Sequence, residues 1–219
     1  RKSWNLDAET VTGFVFGPYT YKGTNMVNAV QWAVGLELLL LIKDPWKIYL
    51  TTDHPNGACF WRYPEIIHLL MNADFRQECL EKLPDKAMER IHLPGIDREY
   101  TLSEIAIITS AGPARALGMP QKGHLGVGAD ADVVLYNDDS DREHMFGHPR
   151  YLLMGGEVVV EEGDIRKMVD GRECIVRPDY DDNIEEYLRP RFEQYYTMSF
   201  DNYPVEMERL EGADIRECG

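Results

Sequence analysis

The segment Lys47-Ile48-Tyr49-Leu50-Thr51-Thr52-Asp53-His54-Pro55-Asn56-Gly57 constrains this chain more than any other. Ile48, Tyr49, Leu50, Thr51 and Thr52 are strand formers, and the run is short enough to be a buried strand rather than a helix. Pro55 pushes His54 out of the helical region and removes a backbone donor, while Asn56-Gly57 signals a turn. The strand therefore stops on Asp53, held at its carboxyl end and facing whatever lies beyond the sheet. In parallel α/β folds that is where reactive groups are placed.

The flanking sequence reads as α/β. Residues 1–25 suggest a strand and loops punctuated by Gly13, Gly17, Pro18 and Gly23. Residues 27–42 are apolar on nearly every side, which predicts a helix covered by a sheet and by other helices. Asp44-Pro45 ends it, and the strand over 46–53 follows. Pro64 suits the first turn of a helix carrying Ile66, Ile67, Leu69 and Leu70, and a second helix is expected over 74–83. Thr101 and Glu104 form a capping box ahead of Ile105-Ala106-Ile107-Ile108. Pro113 opens a further short helix, which Gly118 ends as a left-handed cap.

The pattern changes after Lys122. A glycine-punctuated stretch leads into a strand at 133–136, and 151–154 with 158–160 predict a β-hairpin around Gly155-Gly156. Gly163-Asp164 and Asp170-Gly171 mark turns before a strand at Cys174-Ile175-Val176. Residues 179–219 form an acidic, Tyr-rich extension with a helix from about Asn183, interrupted at Pro190. There is no internal repeat.

Composition excludes several functions. A formal net charge of −15 in 219 residues leaves no basic stripe to neutralise phosphates, which argues against nucleic acid as the main partner and is read as solubility. The apolar run 38–42 is too short to span a bilayer, and no secretory signal pattern is present. Cys59, Cys79, Cys174 and Cys218 show no C-x-x-C spacing, against a disulfide framework or a Cys-rich metal site and in favour of a reducing cytoplasm. The chain opens on Arg1 without an initiator Met and reads as a piece of something longer.

Asp53 is the leading candidate for chemistry. A carboxylate at a strand end can ligate a metal and take a proton from metal-bound water; the competing reading is a turn Asp before a Pro-Asn-Gly loop. His54 reads as a ligand, a substrate hydrogen-bond donor or a loop histidine. Neighbours on a strand point opposite ways, so a substrate-facing or supporting role is favoured. Asn56 is a turn residue first and, with His54, a candidate for substrate binding. His68 reads as a satisfied interface residue. His92, His124, His144 and His148 fall in loops, and Gly147 and Pro149 argue against a helix that would align His144 with His148. The glycines of 123–128 precede a strand, not a helix, so a phosphate loop is excluded, and Cys59 has no visible base.

The order of these features carries a resemblance. A strand ending in Asp, a helical region, Pro113-Ala114-Arg115-Ala116-Leu117-Gly118, then Lys122-Gly123-His124-Leu125-Gly126-Val127-Gly128-Ala129-Asp130-Ala131-Asp132-Val133 resembles the closing third of a metal-dependent amidohydrolase. Asn28-Ala29-Val30-Gln31-Trp32-Ala33-Val34-Gly35-Leu36-Glu37, Lys43-Asp44-Pro45-Trp46, Thr51-Thr52-Asp53-His54-Pro55-Asn56-Gly57 and Ile96-Asp97-Arg98-Glu99-Tyr100-Thr101-Leu102 are more specific. They resemble the amidohydrolase subunits of formylmethanofuran dehydrogenases, with the formyltransferase/hydrolase complex subunit of methylotrophs close to them. The match runs from about Val11 to Arg177.

The resemblance implies an α/β fold: the last strands and helices of a (β/α)₈ barrel over 1–118, a small β-sandwich segment over 119–178, and the acidic, helical extension over 179–219. It also implies a binuclear zinc centre that condenses formate with methanofuran, or hydrolyses formylmethanofuran, in a cytoplasmic complex with molybdenum or tungsten redox subunits. Asp53 matches the family's metal ligand and proton shuttle. The family's early His-x-His pair, its bridging lysine and its later histidine ligands have no counterpart here, since Lys22 and Lys43 sit in loop or helix-end contexts. The chain is expected to be inactive alone, and poorly soluble where the apolar helix 27–42 lacks cover. Two other readings stay open: a dihydroorotase-like cyclic-amide hydrolase, and a non-catalytic scaffold.

Overall fold

Local capping sets most of the helices. The computed structural model describes residues 22–52, 54, 58–170, 174–181, 183–197, 199–202 and 213–218. The apolar run becomes α1, Met26–Leu41, started by the Asn25 side chain, which accepts from the N–H groups of Val27 at 2.9 Å and Asn28 at 3.3 Å. Cover on nearly every side is not observed. Ala29, Ala33, Leu36 and Leu40 are buried, whereas Val27, Val34, Leu38 and Leu41 are exposed.

The expected strand over 46–53 takes a different form. Pro45–Lys47 is a 3₁₀ turn, because the Asp44 carboxylate accepts the Trp46 N–H at 3.1 Å and Pro45 is already set for a helical first turn. Residues 48–52 then run without regular secondary structure, and no strand pairs with them among the described residues. Leu50 and Thr52 are buried while Tyr49 and Thr51 are exposed, so the segment alternates rather than being buried on both faces.

α2, Tyr63–Met71, and α3, Ala73–Leu80, share Asn72. Its N–H closes α2 on His68 O at 2.9 Å, and its side chain caps α3 by accepting Phe75 N–H at 2.8 Å. α4, Asp85–Met88, and a 3₁₀ turn at Leu93–Gly95 follow. α5, Leu102–Ala106, carries the predicted capping box: Thr101 Oγ1 accepts Glu104 N–H at 3.2 Å and Glu104 Oε2 accepts Thr101 N–H at 2.9 Å. It passes through a π-helical turn, Ile107–Ala111, into α6, Gly112–Ala116, and Gly118 follows at φ 66° as the expected left-handed residue.

The core joins Leu36 and Leu40 to Ile67, Leu70, Leu80, Leu93, Tyr100, Ile105 and Ile108. The segment 96–104 laces these elements together. Arg98 Nη1 donates to Leu40 O at 2.8 Å and Ile42 O at 2.7 Å, capping the carboxyl end of α1, and its Nη2 meets Glu104 Oε1 at 2.7 Å. Tyr100 donates its hydroxyl to Leu39 O, and Glu99 accepts the Ala73 N–H at 2.6 Å. Glu37 caps the 3₁₀ turn by accepting from His92 at 2.5 Å and Leu93 at 2.9 Å.

A four-stranded antiparallel meander completes this unit: β1 Val133–Leu135, β2 Tyr151–Met154, β3 Glu157–Glu161 and β4 Asp164–Ile165. The predicted hairpin is present. Gly155 and Gly156 both take positive φ, 58° and 85°, as a two-residue type I′ turn requires. α7, Arg142–Gly147, lies between β1 and β2 in sequence and packs on α2. The fold is thus mixed helix and sheet.

The described residues from 174 on belong to a second compact unit. β5, Cys174–Pro178, pairs in parallel with β6, Asp214–Cys218. Cys174 and Cys218 sit at opposite ends of that ladder, too far apart for a disulfide. The helix of this unit, α8, Ile184–Tyr195, runs through Pro190 instead of breaking there. Its last turns are held by Phe192, which stacks on Tyr196 at 4.4 Å and meets Phe200 edge-on at 5.3 Å, and by the Arg189–Asp201 ion pair.

Candidate active site

Asp53 and Asn56, which the sequence singles out, lie outside the described residues, and the site is built from what flanks them. Thr52 is buried; its N–H donates to the Tyr63 hydroxyl at 3.3 Å, and its carbonyl accepts Ala58 N–H at 2.8 Å. The second bond closes the loop 53–57 at its base. His54 is exposed, and its Nδ1 accepts the Phe60 N–H at 3.2 Å. A ring nitrogen that accepts carries no proton, so neutral His54 holds its proton on Nε2 and presents it as a donor. Phe60 and Trp61 flank the imidazole with ring centroids 4.9 Å and 6.3 Å away, and both aromatics are exposed.

The approach to the loop is fixed from below by a device that motif and periodicity did not reveal. In a π-helical turn the N–H of residue i+5 bonds the carbonyl of residue i, and Gly112 bonds Ile107 in this way. Residue 113 would do the same for Ile108, but it is proline and has no N–H. The Ile108 carbonyl turns instead to Leu50, whose N–H it accepts at 3.0 Å. Gly112 sits where a Cβ would lie 2.8 Å from Ile107 O and 3.0 Å from the Tyr49 ring. Residues 49 and 50 are thus docked on the π turn three residues before Asp53. The signal was present as Gly112-Pro113 inside an otherwise helical run.

The remaining histidines divide into structural and unexplained. His124 caps the glycine loop, with Nε2 2.7 Å from Pro120 O and Nδ1 accepting Gly126 N–H at 3.1 Å. His68 is buried and stacked on Phe75 at 4.2 Å, but it is not the satisfied interface residue expected. Its Nδ1 is 3.6 Å from Asp141 Oδ1, beyond hydrogen-bond length, and has no bond among the described residues. His144 and His148 also depart from expectation. A helix does form there, because Asp141 accepts His144 N–H at 3.1 Å and Gly147 and Pro149 fall at and beyond its end; the two rings stack at 4.5 Å.

Burial pushes the Cys79 thiol up, away from reactivity. Among the described residues, no group of three or more His, Cys, Asp or Glu side chains is arranged to hold a metal. They do not by themselves fit the several-ligand zinc pair that the resemblance implies. Nor, among them, is any helix long and apolar enough to cross a membrane.

Comparison with known proteins fits this architecture. The chain is 43% identical over 195 residues to FhcA, of the formyltransferase/hydrolase complex of Methylorubrum extorquens, a match covering 87% of this chain and 36% of that protein. It is 42% identical over 216 residues to Protein FwdA of Methanocaldococcus jannaschii, covering 93% of this chain and 38% of the relative. A shorter match, 30% over 92 residues, joins it to a D-hydantoinase of Ralstonia pickettii, covering 33% and 20%. The crystal structure of the M. extorquens formyltransferase/hydrolase complex (FhcABCD) with methylofuran superposes with a TM-score of 0.76 at 38% identity, over 92% of this chain and 38% of that one. The chain therefore spans little more than a third of the first two relatives. The kinship read from the motifs is borne out, and the amidohydrolase family description matches residues 3–160. The chain belongs to the amidohydrolase family.

Proposed function

We propose that this chain is the carboxyl-terminal part of a subunit that makes or cleaves the formamide bond of formylmethanofuran, with Asp53 as its proton-transferring carboxylate. In hydrolysis, Asp53 takes a proton from the attacking water and delivers it to the leaving amine. In synthesis it takes the proton from the attacking amine. His54, which presents Nε2–H one residue further on, donates to the formamide oxygen as charge develops there, and Asn56 binds substrate beside it. What carries the reading is the docked approach to the loop: Thr52 and Ala58 close its base and Phe60 fixes the His54 tautomer.

The family's zinc pair supplies Lewis-acid chemistry where it is bound; Asp53 is proposed as one ligand, with the remainder outside the described residues. The domain boundaries at 1–118, 119–178 and 179–219, the barrel and sandwich assignment, the cytoplasmic setting and assembly with further subunits belong to the same proposal. The relatives' membership of a formyltransferase/hydrolase complex supports the last point.

The test is formylmethanofuran hydrolysis by the full-length subunit in its assembled complex. Asp53→Asn is expected to lower turnover by about 10²–10⁴, and near-normal turnover in an intact complex sinks the assignment. The match to a D-hydantoinase favours a second reading, a cyclic-amide hydrolase. Turnover of cyclic amides without formylmethanofuran activity would select it, and absence of both activities and of stoichiometric zinc would select a scaffold.

A further inference from the structure

His144 and His148 hold their rings side by side, centroids 4.5 Å apart and planes 26° apart. Each ring has its Nδ1 engaged by an acceptor: His144 Nδ1 lies 3.0 Å from Asp139 Oδ2, and His148 Nδ1 lies 3.1 Å from His144 O. A carboxylate and a carbonyl can only accept, so in both neutral rings the proton sits on Nδ1 and the lone pair on Nε2. This is the arrangement by which outer partners orient metal-ligating histidines and make them more basic.

The partner carboxylate is itself fixed. Asp139 Oδ1 accepts the Asp141 N–H at 2.9 Å, and Arg142 Nη1 donates to Asp139 O at 2.7 Å. The Asp141 N–H first, and the His144 imidazole second, hold the Asp139 carboxyl below its usual range. Among the described residues neither Nε2 makes a hydrogen bond, and the His144 side chain is 58% exposed.

We propose that His144 and His148 form a site for one borderline divalent transition-metal ion of the zinc, nickel and copper class, bound through the two Nε2 atoms with solvent completing the shell. Imidazole suits these ions, with metal–nitrogen distances of about 2.0–2.1 Å for zinc. Both side chains are on the surface, so the small rotation that brings the two nitrogens onto one ion disturbs no packing. The site uses no residue of the loop at 53–57.

Equilibrium dialysis of the 219-residue chain against nickel(II) tests it. One ion per chain is expected above any other binding. His144→Gln and His148→Gln should each remove it, Asp139→Asn should weaken it by about 10-fold or more, and Asp53→Asn should leave it intact. Wild-type stoichiometry and affinity in the His144→Gln/His148→Gln double variant would overturn the proposal. Copper(II) electron paramagnetic resonance of the unaltered chain gives a readout free of folding effects. Hyperfine coupling to two imidazole nitrogens is expected, and a spectrum showing oxygen ligands alone would count equally against the site. Loss of the nickel site by Asp53→Asn would mean that the ion had been assigned to the wrong residues.

Discussion

Single side chains in this molecule are placed chiefly by backbone groups they satisfy. Arg76 is almost fully buried and donates to three carbonyls: Leu69 at 2.6 Å, Ile96 at 2.9 Å and Arg98 at 3.0 Å. Burial lowers its pKa, with Glu99 and Asp97 opposing. Its role is to satisfy carbonyls that bend away from regular structure. Glu104 is more informative because its protonation is coupled to stability. Burial pushes its carboxyl up, but the Thr101 N–H, Arg98 and the Thr101 hydroxyl outweigh that and hold it below 4.5. A carboxyl lowered in the folded state contributes stability that is complete above its unfolded pKa and is lost as pH falls through the lower folded value. Glu104→Gln is therefore expected to cost about 1–2 kcal/mol at pH 7. The gap from wild type should shrink as acid protonates the native carboxyl. Urea unfolding between pH 7 and pH 3 measures this, and a gap that holds constant across the range would show that the charge on Glu104 does not contribute.

At the scale of elements, the π turn at Ile107–Ala111 is where local sequence and tertiary structure depend on each other. Gly→Ala within a helix ordinarily stabilises by about 0.5–1 kcal/mol. At Gly112 the sign should reverse, because the new methyl meets Ile107 O at 2.8 Å and the Tyr49 ring at 3.0 Å. Gly112→Ala is expected to destabilise by about 1–3 kcal/mol and, by shifting Tyr49 and Leu50, to lower turnover in the assembled enzyme. A rise in the unfolding midpoint would show that the packing there is slack. Helices with a chemical start signal were legible from sequence: the Asn25 cap, the Thr101–Glu104 box and Pro64 all mark ends that the structure keeps. So was the hairpin at Gly155-Gly156, since only glycine takes both positive φ values cheaply. What escaped depended on partners distant in sequence. The 46–53 strand needed a ladder neighbour, β6 had no strand signal until β5 lay beside it, and the π turn became visible only with Leu50 docked on it. Pro190 and Pro149 show the converse, a local breaker overruled or bypassed. At the candidate site, the position of Asp53 came from its motif, but the tautomer of His54 depends on Phe60 and could not be read from type or spacing.

The largest features join the charge of the chain to the one face of α1 that stays uncovered. Val27, Val34, Leu38 and Leu41 recur along one stripe of that helix and are 55%, 38%, 54% and 61% exposed. Leu36 and Leu40 lie under 5% on the opposite side. Apolar area stabilises by about 25 cal/mol per Å² when removed from water, so a contiguous stripe of this kind favours association. The formal charge of −15 opposes it through like-charge repulsion between copies, which salt screens within about 8 Å at physiological ionic strength. The two effects predict a chain that self-associates more as salt is raised, the reverse of an assembly held by ion pairs. Light scattering of the isolated chain between low and high salt should show mass increasing with salt. Val34→Lys with Leu38→Glu should hold it monomeric while leaving the buried face, and hence the melting cooperativity, unchanged. A wild-type chain that stays monomeric and melts cooperatively at every salt concentration would show that the stripe drives no association.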